Sequence, residues 1–174
     1  MIESLLKLWR KFNFSKNLQL RIMRTINAQF LVGVTGVIFN NNNEVLLFKH
    51  SYRSIAWSLP GGYMKGKEHP KEALEREIKE ESNFTVSIDW RMKIRTDRQT
   101  SRLDIPYIGT FIGDSFKPSA EVIEFGFFSL DNLPHIRTDQ LFLINKALEE
   151  RKIFFSTKKL APIEKAKKSE IANL

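Results

Sequence analysis

Apolar residues along the chain fall into short β-branched runs and a few stretches with helical spacing. Residues 30–39 (FLVGVTGVIF) are nearly all apolar, and their glycines weaken a helix, so they predict a strand. Asn40 to Asn43 form a turn run, because Asn side chains favour tight turns by bonding their own backbone. Residues 44–50 (EVLLFKH) then supply the second strand of a hairpin. A loop leads to Pro60-Gly61-Gly62, and Pro70 marks the start of a helix that ends near Ser82. Residues 85–90, 92–96, 105–112 and 124–128 predict further short strands, and 131–134 a turn. Residues 138–151 predict a last helix, with Leu141, Leu143, Ile144 and Leu148 inward. A helix lying between two groups of strands implies an α/β (α+β) chain with a mixed central sheet.

Upstream of these elements, Leu5, Leu8, Trp9 and Phe12 recur at helical spacing, and Leu18, Ile22 and Ile26 repeat the pattern. This predicts an amphipathic N-terminal helical extension. A basic, tryptophan-bearing helix suits a membrane surface, but such stripes more commonly dock on a domain or a second subunit.

Composition narrows the class. The chain has 174 residues, 42% hydrophobic and 28% charged, which is globular rather than disordered. It has no cysteine, which excludes disulfides, thiol nucleophiles and thiolate-bound metals. The first residues lack the apolar core of a secretory signal, and no window approaches the ~18 apolar residues of a membrane span. A cytoplasmic location is the default expectation.

The formal charge is +8, which invites a polyanionic partner. The excess is confined to the ends. Residues 1–28 carry six basic and one acidic side chain, and residues 151–174 carry seven and two. The middle, 29–150, holds fifteen against seventeen. The expected organisation is a basic extension (1–28), a single domain (29–150) and a basic tail (151–174).

Six of the twenty acids fall within fourteen residues, at positions 68, 72, 75, 77, 80 and 81. Glu77, Glu80 and Glu81 stand at i, i+3 and i+4 of the helix, so their carboxylates share a face. Such a cluster repels itself unless a cation is present, and hard oxygen donors select Mg²⁺, Mn²⁺ or Ca²⁺. Magnesium, which keeps its waters and shares itself with phosphates, suits an open helix face best. The plainer explanation is a solvated acidic face. Against it stand Arg76, placed to hold Glu77 in one orientation, and Gly61-Gly62, where backbone can approach a metal or phosphate closely.

Gly62, Glu68, Arg76, Glu77, Ile78, Glu80 and Glu81 together resemble the Nudix box: Gly, five residues, Glu, seven residues, Arg-Glu, an aliphatic, any residue, Glu-Glu. Six fixed matches would arise by chance roughly once in 10⁷ positions at ordinary residue usage. Trp57-Ser58-Leu59-Pro60-Gly61-Gly62 is similar to the usual lead-in. One departure is Asn83, where the box carries glycine; Asn is the non-glycine residue that best tolerates a left-handed helix end.

The resemblance implies a Nudix-type α/β/α sandwich and Mg²⁺-dependent cleavage (Mn²⁺ possible) of a pyrophosphate in a nucleoside diphosphate-linked substrate, by water attack on phosphorus. By the same resemblance, Glu77, Glu80, Glu81 and the Gly61 carbonyl are metal ligands, and Glu77 or Glu80 is the base. Arg76 orients Glu77, and Glu68 braces Arg76. Glu121, in a loop beyond the box, is an extra ligand or base, with Glu124 second. A homodimer also fits the family.

Substrate identity is less marked. Tyr52, Arg53 and Trp57 are candidates for stacking a base or clamping a phosphate, with Arg95, Arg98 and Arg102 behind them. The proline or tyrosine marker of ADP-ribose and dinucleoside-polyphosphate cleavers is replaced by Gln99-Thr100-Ser101. His50, His69 and His135 are scattered singly and are expected to be structural. Two other functions compete with this one: a non-enzymatic Nudix-fold nucleotide or RNA regulator, which the intact box disfavours, and RNA 5′-end processing with the basic ends on phosphates. A membrane surface is the other partner open to those ends.

Overall fold

The structure, a computed structural model, describes the backbone of residues 15–171 and the side chains of residues 15–154. Leu5, Leu8, Trp9 and Phe12 lie outside the described residues. Helix α1 (Lys16–Ile26) starts at Ser15, whose side chain accepts from the Leu18 N–H, and ends at Asn27, bonded back to Met23. None of its side chains is buried; Leu18 is 42% and Ile26 70% exposed. Within one chain, the described part of the stripe expected to dock on the domain or on a second subunit is therefore unburied.

One eight-stranded sheet follows, comprising β1 (Leu31–Phe39), β2 (Val45–His50), β3 (Trp57–Ser58), β4 (Gly61–Tyr63), β5 (Thr85–Arg91), β6 (Arg95–Asp97), β7 (Arg102–Gly113) and β8 (Val122–Phe128). Its main path is β3-β2-β1-β7-β5, with β4 on β1, β6 on β7 and β8 on β2. β1 and β7 are parallel and the other pairs antiparallel, so the sheet is mixed as expected.

Side-chain alternation along the central strands builds two cores. Val34, Ile38, Leu46 and Phe48 face helix α2 (Pro70–Ser82), meeting its Ala73, Leu74 and Ile78. Val37, Phe39, Val45 and Leu47 face the other way, onto Leu143, Ile144 and Ala147 of helix α3 (Thr138–Ile171). The result is an α/β/α sandwich. No described helix is long and apolar enough to cross a membrane.

Several boundaries differ from the pattern. α3 continues to Ile171 rather than stopping near Arg151. Leu141 is 38% exposed, because the inward stripe at three- and four-residue spacing is Gln140, Leu143, Ile144, Ala147 and Leu148. Buried Gln140 joins it because its Oε1 accepts the Leu59 N–H at 3.0 Å. The strand expected at 92–96 is reduced to β6, although the Met92 N–H still reaches the Pro106 carbonyl. β3 and β4, within the expected loop, are too short to show a period and form by pairing with β2 and β1.

Candidate active site

α2 begins and ends as its residues dictate. His69 caps the start: its Nδ1 accepts from the Lys71 N–H, while Glu72 accepts from the His69 N–H. Asn83 ends it in the left-handed region at φ 65°, the conformation in which Asn stands in for glycine, and its N–H reaches the Lys79 carbonyl. Ala73, Leu74 and Ile78 fix the helix rotation, which turns Arg76, Glu77, Glu80 and Glu81 toward β4 and the loops beyond it.

Arg76 organises this face. Its Nε and Nη2 donate to the two oxygens of Glu68 at 3.0 and 2.8 Å, a bidentate pair. Its Nη1 donates to Glu77 Oε1 at 2.8 Å and Glu80 Oε2 at 3.1 Å, and Nη2 reaches the Tyr63 carbonyl. The Lys65 N–H also donates to Glu68. These hydrogen bonds, Arg76 first, draw the Glu68 carboxyl down to about 2. Partial desolvation of Glu80 is outweighed by Lys65 and Arg76, which hold its carboxyl below the ordinary range.

Glu77 lies against the glycine pair. A Cβ on Gly62 would sit 2.4 Å from Glu77 Cδ, so only glycine lets the carboxylate lie on this backbone. A Cβ on Gly61 would come within 2.2 Å of the Val34 carbonyl oxygen, which explains how β4 packs so tightly beside β1.

Glu81 is different in kind. It is 8% exposed, and its Oε2 has no partner among the described residues. Burial, reinforced by the nearby Glu77 and Glu121 carboxylates, pushes its carboxyl up to about 8. Glu121 arrives from the chain just before β8, where its carbonyl accepts from the Ser51 N–H and its Oε2 accepts from the Tyr52 hydroxyl at 3.2 Å. Glu124 instead pairs with Lys49 at 2.7 Å. The third member here is His50, whose ring lies with Glu81 and Glu121 so that one donor atom from each falls within 4.8 Å of the others. Burial, then the charge of Arg53, lowers the His50 imidazole to about 4. The single histidines were expected to be structural. His69 is; His50 sits among carboxylates, and no local spacing announces it, because β2–β8 pairing makes the contact.

The donor set fits a divalent cation. It offers clustered carboxylates, one of them buried with an unpartnered oxygen, and a backbone held open by glycines.

Beside the carboxylates opens a cavity of about 800 Å³, lined by Thr35, Arg53, Trp57, Gly61, Arg95, Arg98, Arg102, Asp104 and Arg137, among others. Arg53 joins the two regions: it donates to Ser58 Oγ at 2.9 Å and to the Tyr52 hydroxyl at 3.3 Å. Trp57 is held by the edge of Phe128 at 5.1 Å, with Lys49 over its ring. Arg95, Arg98 and Arg102 all line the cavity, and Arg137 joins them although nothing in its sequence neighbourhood marks it. The turn between β6 and β7 is built by Asp97, which accepts from the Gln99 and Thr100 N–H groups.

A mixed sheet between helices, carrying an Arg-organised glutamate face over a glycine pair, defines a pyrophosphate-cleaving hydrolase. The chain belongs to the Nudix family: the NUDIX domain model matches residues 29–150. It is 31% identical over 114 residues to an ADP-ribose pyrophosphatase of Methanocaldococcus jannaschii, covering 62% of this chain and 67% of that protein. Among solved structures, an ADP-ribose pyrophosphatase of Streptococcus suis superposes with a TM-score of 0.59 at 27% identity, over 68% of this chain and 92% of that one. A UDP-X diphosphatase shares the fold with a TM-score of 0.63 at 18% identity, over 86% of this chain and 80% of that one.

Proposed function

We propose that this hydrolase cleaves the pyrophosphate of a nucleoside diphosphate linked to a sugar, ADP-ribose being the first substrate to test, with a divalent cation of the Mg²⁺ or Mn²⁺ kind. The observation that carries this reading is the buried, unpartnered Glu81 carboxyl facing Glu77 and Glu121. The ADP-ribose pyrophosphatases named above support the substrate class, and so does the polar cavity, whose arginines and Asp104 offer partners for phosphate and ribose.

Glu77, Glu81 and the Gly61 carbonyl would hold the cation, with Glu121 and Glu80 completing the set. When bound, such a cation neutralises charge developing on phosphoryl oxygens and lowers the pKa of water. Arg76 keeps Glu77 aimed along the Gly62 backbone, and Glu68 keeps Arg76 in place. Glu77 accepts the proton of the attacking water in this reading. Glu80 suits that task less, since Lys65 engages its carboxylate in addition to the Arg76 it shares with Glu77. Arg53 stands between the carboxylates and the cavity, placed to hold a phosphate while Tyr52 orients Glu121.

The test is a hydrolysis panel with Mg²⁺ and Mn²⁺ over ADP-ribose, nucleotide sugars, nucleoside triphosphates, dinucleoside polyphosphates and triphosphorylated RNA. Turnover of ADP-ribose or a nucleotide sugar, reduced roughly 100-fold or more by Glu77→Gln and by Glu81→Gln, is expected. Turnover indifferent to both substitutions would overturn the site, and preference for triphosphorylated RNA would overturn the substrate.

A further inference from the structure

The end of β2 brings a nitrogen donor to the acidic face. His50 is 3% exposed, and neither Nδ1 nor Nε2 has a hydrogen-bond partner among the described residues. One ring nitrogen, one Glu81 oxygen and one Glu121 oxygen lie within 4.8 Å of one another. Glu81 Oε2 is buried and unpartnered as well. A core histidine ordinarily donates one N–H to a carbonyl, since a buried polar group without a partner loses its hydration with nothing in return. Here the nearest ring, Tyr52, meets the imidazole edge-on at 5.7 Å and sends its hydroxyl to Glu121 instead. Three donors from three separate segments thus converge while a nitrogen and an oxygen among them remain unsatisfied.

We propose that His50, Glu81 and Glu121 bind one divalent ion, and that the imidazole makes this position favour a first-row transition ion over Mg²⁺. Carboxylates alone accept either kind of ion. An imidazole nitrogen is a good ligand for transition ions, whereas magnesium takes oxygen and keeps its water. Glu77 and Glu121 are both close enough to Glu81 to act on its carboxyl, so this position adjoins the one assigned to Glu77 and Gly61. The inference rests on the proposed function only in linking the ion to hydrolysis; the binding itself does not depend on turnover.

Mn²⁺, the weakest binder of the transition series yet visible by EPR, is a stringent probe. Pulsed EPR on the full chain loaded with Mn²⁺ is expected to show ¹⁴N modulation from a bound imidazole, persisting in a roughly tenfold excess of Mg²⁺. His50→Gln should abolish it and weaken Mn²⁺ binding at least about tenfold, while His69→Gln, at the helix cap, should leave both unchanged. Modulation absent from the wild type, or surviving in His50→Gln, would overturn the proposal. Should His50→Gln fail to fold by circular dichroism, ¹⁵N-histidine labelling of the wild type decides: an unaltered modulation pattern excludes histidine ligation. Hydrolysis without ¹⁴N modulation would remove this metal position and keep the enzyme reading. Modulation without turnover of any panel substrate would do the reverse.

Discussion

Among single side chains, the guanidinium of Arg76 decides how three carboxylates can lie close together. It is half-enclosed and bonded to Glu68, Glu77 and Glu80 at once. Lysine keeps the charge but not the fork, so Arg76→Lys should lower kcat by about 10–100-fold, with a smaller change in KM, measured by steady-state kinetics. Glu68 gives a pH signature. Its folded carboxyl sits near 2, below the ordinary value of 4.5, so its contribution is complete above 4.5 and is lost as pH falls toward 2. Denaturant unfolding of wild type and Glu68→Gln should therefore differ at pH 7 and converge between pH 4.5 and 2.

At the scale of elements, α2 carries the Arg76–Glu81 cluster and its ends are separable from it. Asn83 holds a left-handed conformation and also donates from Nδ2 to the Ser115 carbonyl at 3.0 Å. Asn83→Ala should cost about 1–2 kcal/mol in denaturant unfolding, and Asn83→Gly should recover the backbone part while losing the side-chain bond. Leu74, fully buried between α2 and the sheet, should cost about 2–5 kcal/mol when cut to Ala, because a cavity forms where the helix is seated. Much of this element was legible: the start at Pro70, the end at Ser82 and the tolerance of Asn83 all follow from local chemistry. Gln140 and the two-residue β3 were not, since Gln140 turns inward only to meet the Leu59 N–H and β3 exists only against β2.

For the molecule as a whole, the +8 charge belongs to the ends rather than to the site. The five cavity arginines are partly offset by Asp97, Asp104 and Asp139 around the same space. α1 buries no side chain, so a chain beginning at residue 29 should unfold at a midpoint close to that of the full protein and retain its hydrolysis; a large loss of either would show that the extension completes the domain.

The sequence by itself determined what is local. A heptad's worth of residues, Arg76 to Ser82, places its acids on one helix face through backbone geometry alone, and the glycine pair beside Glu77 is written eight and nine residues ahead of the helix. What only the tertiary structure decided is which distant residues complete that face. His50 and Glu121 reach Glu81 because β2 and β8 pair with His50 opposite Val122, next to Glu121. Arg53, Arg95, Arg98, Arg102 and Arg137 share one cavity because three separate segments, the β2–β3 loop, the β6–β7 hairpin and the start of α3, border it. Strand register and the packing of loops set those meetings: the period-2 pattern of a strand fixes which face its residues take, but which residues of two strands roughly seventy residues apart lie opposite each other is decided only in the assembled sheet.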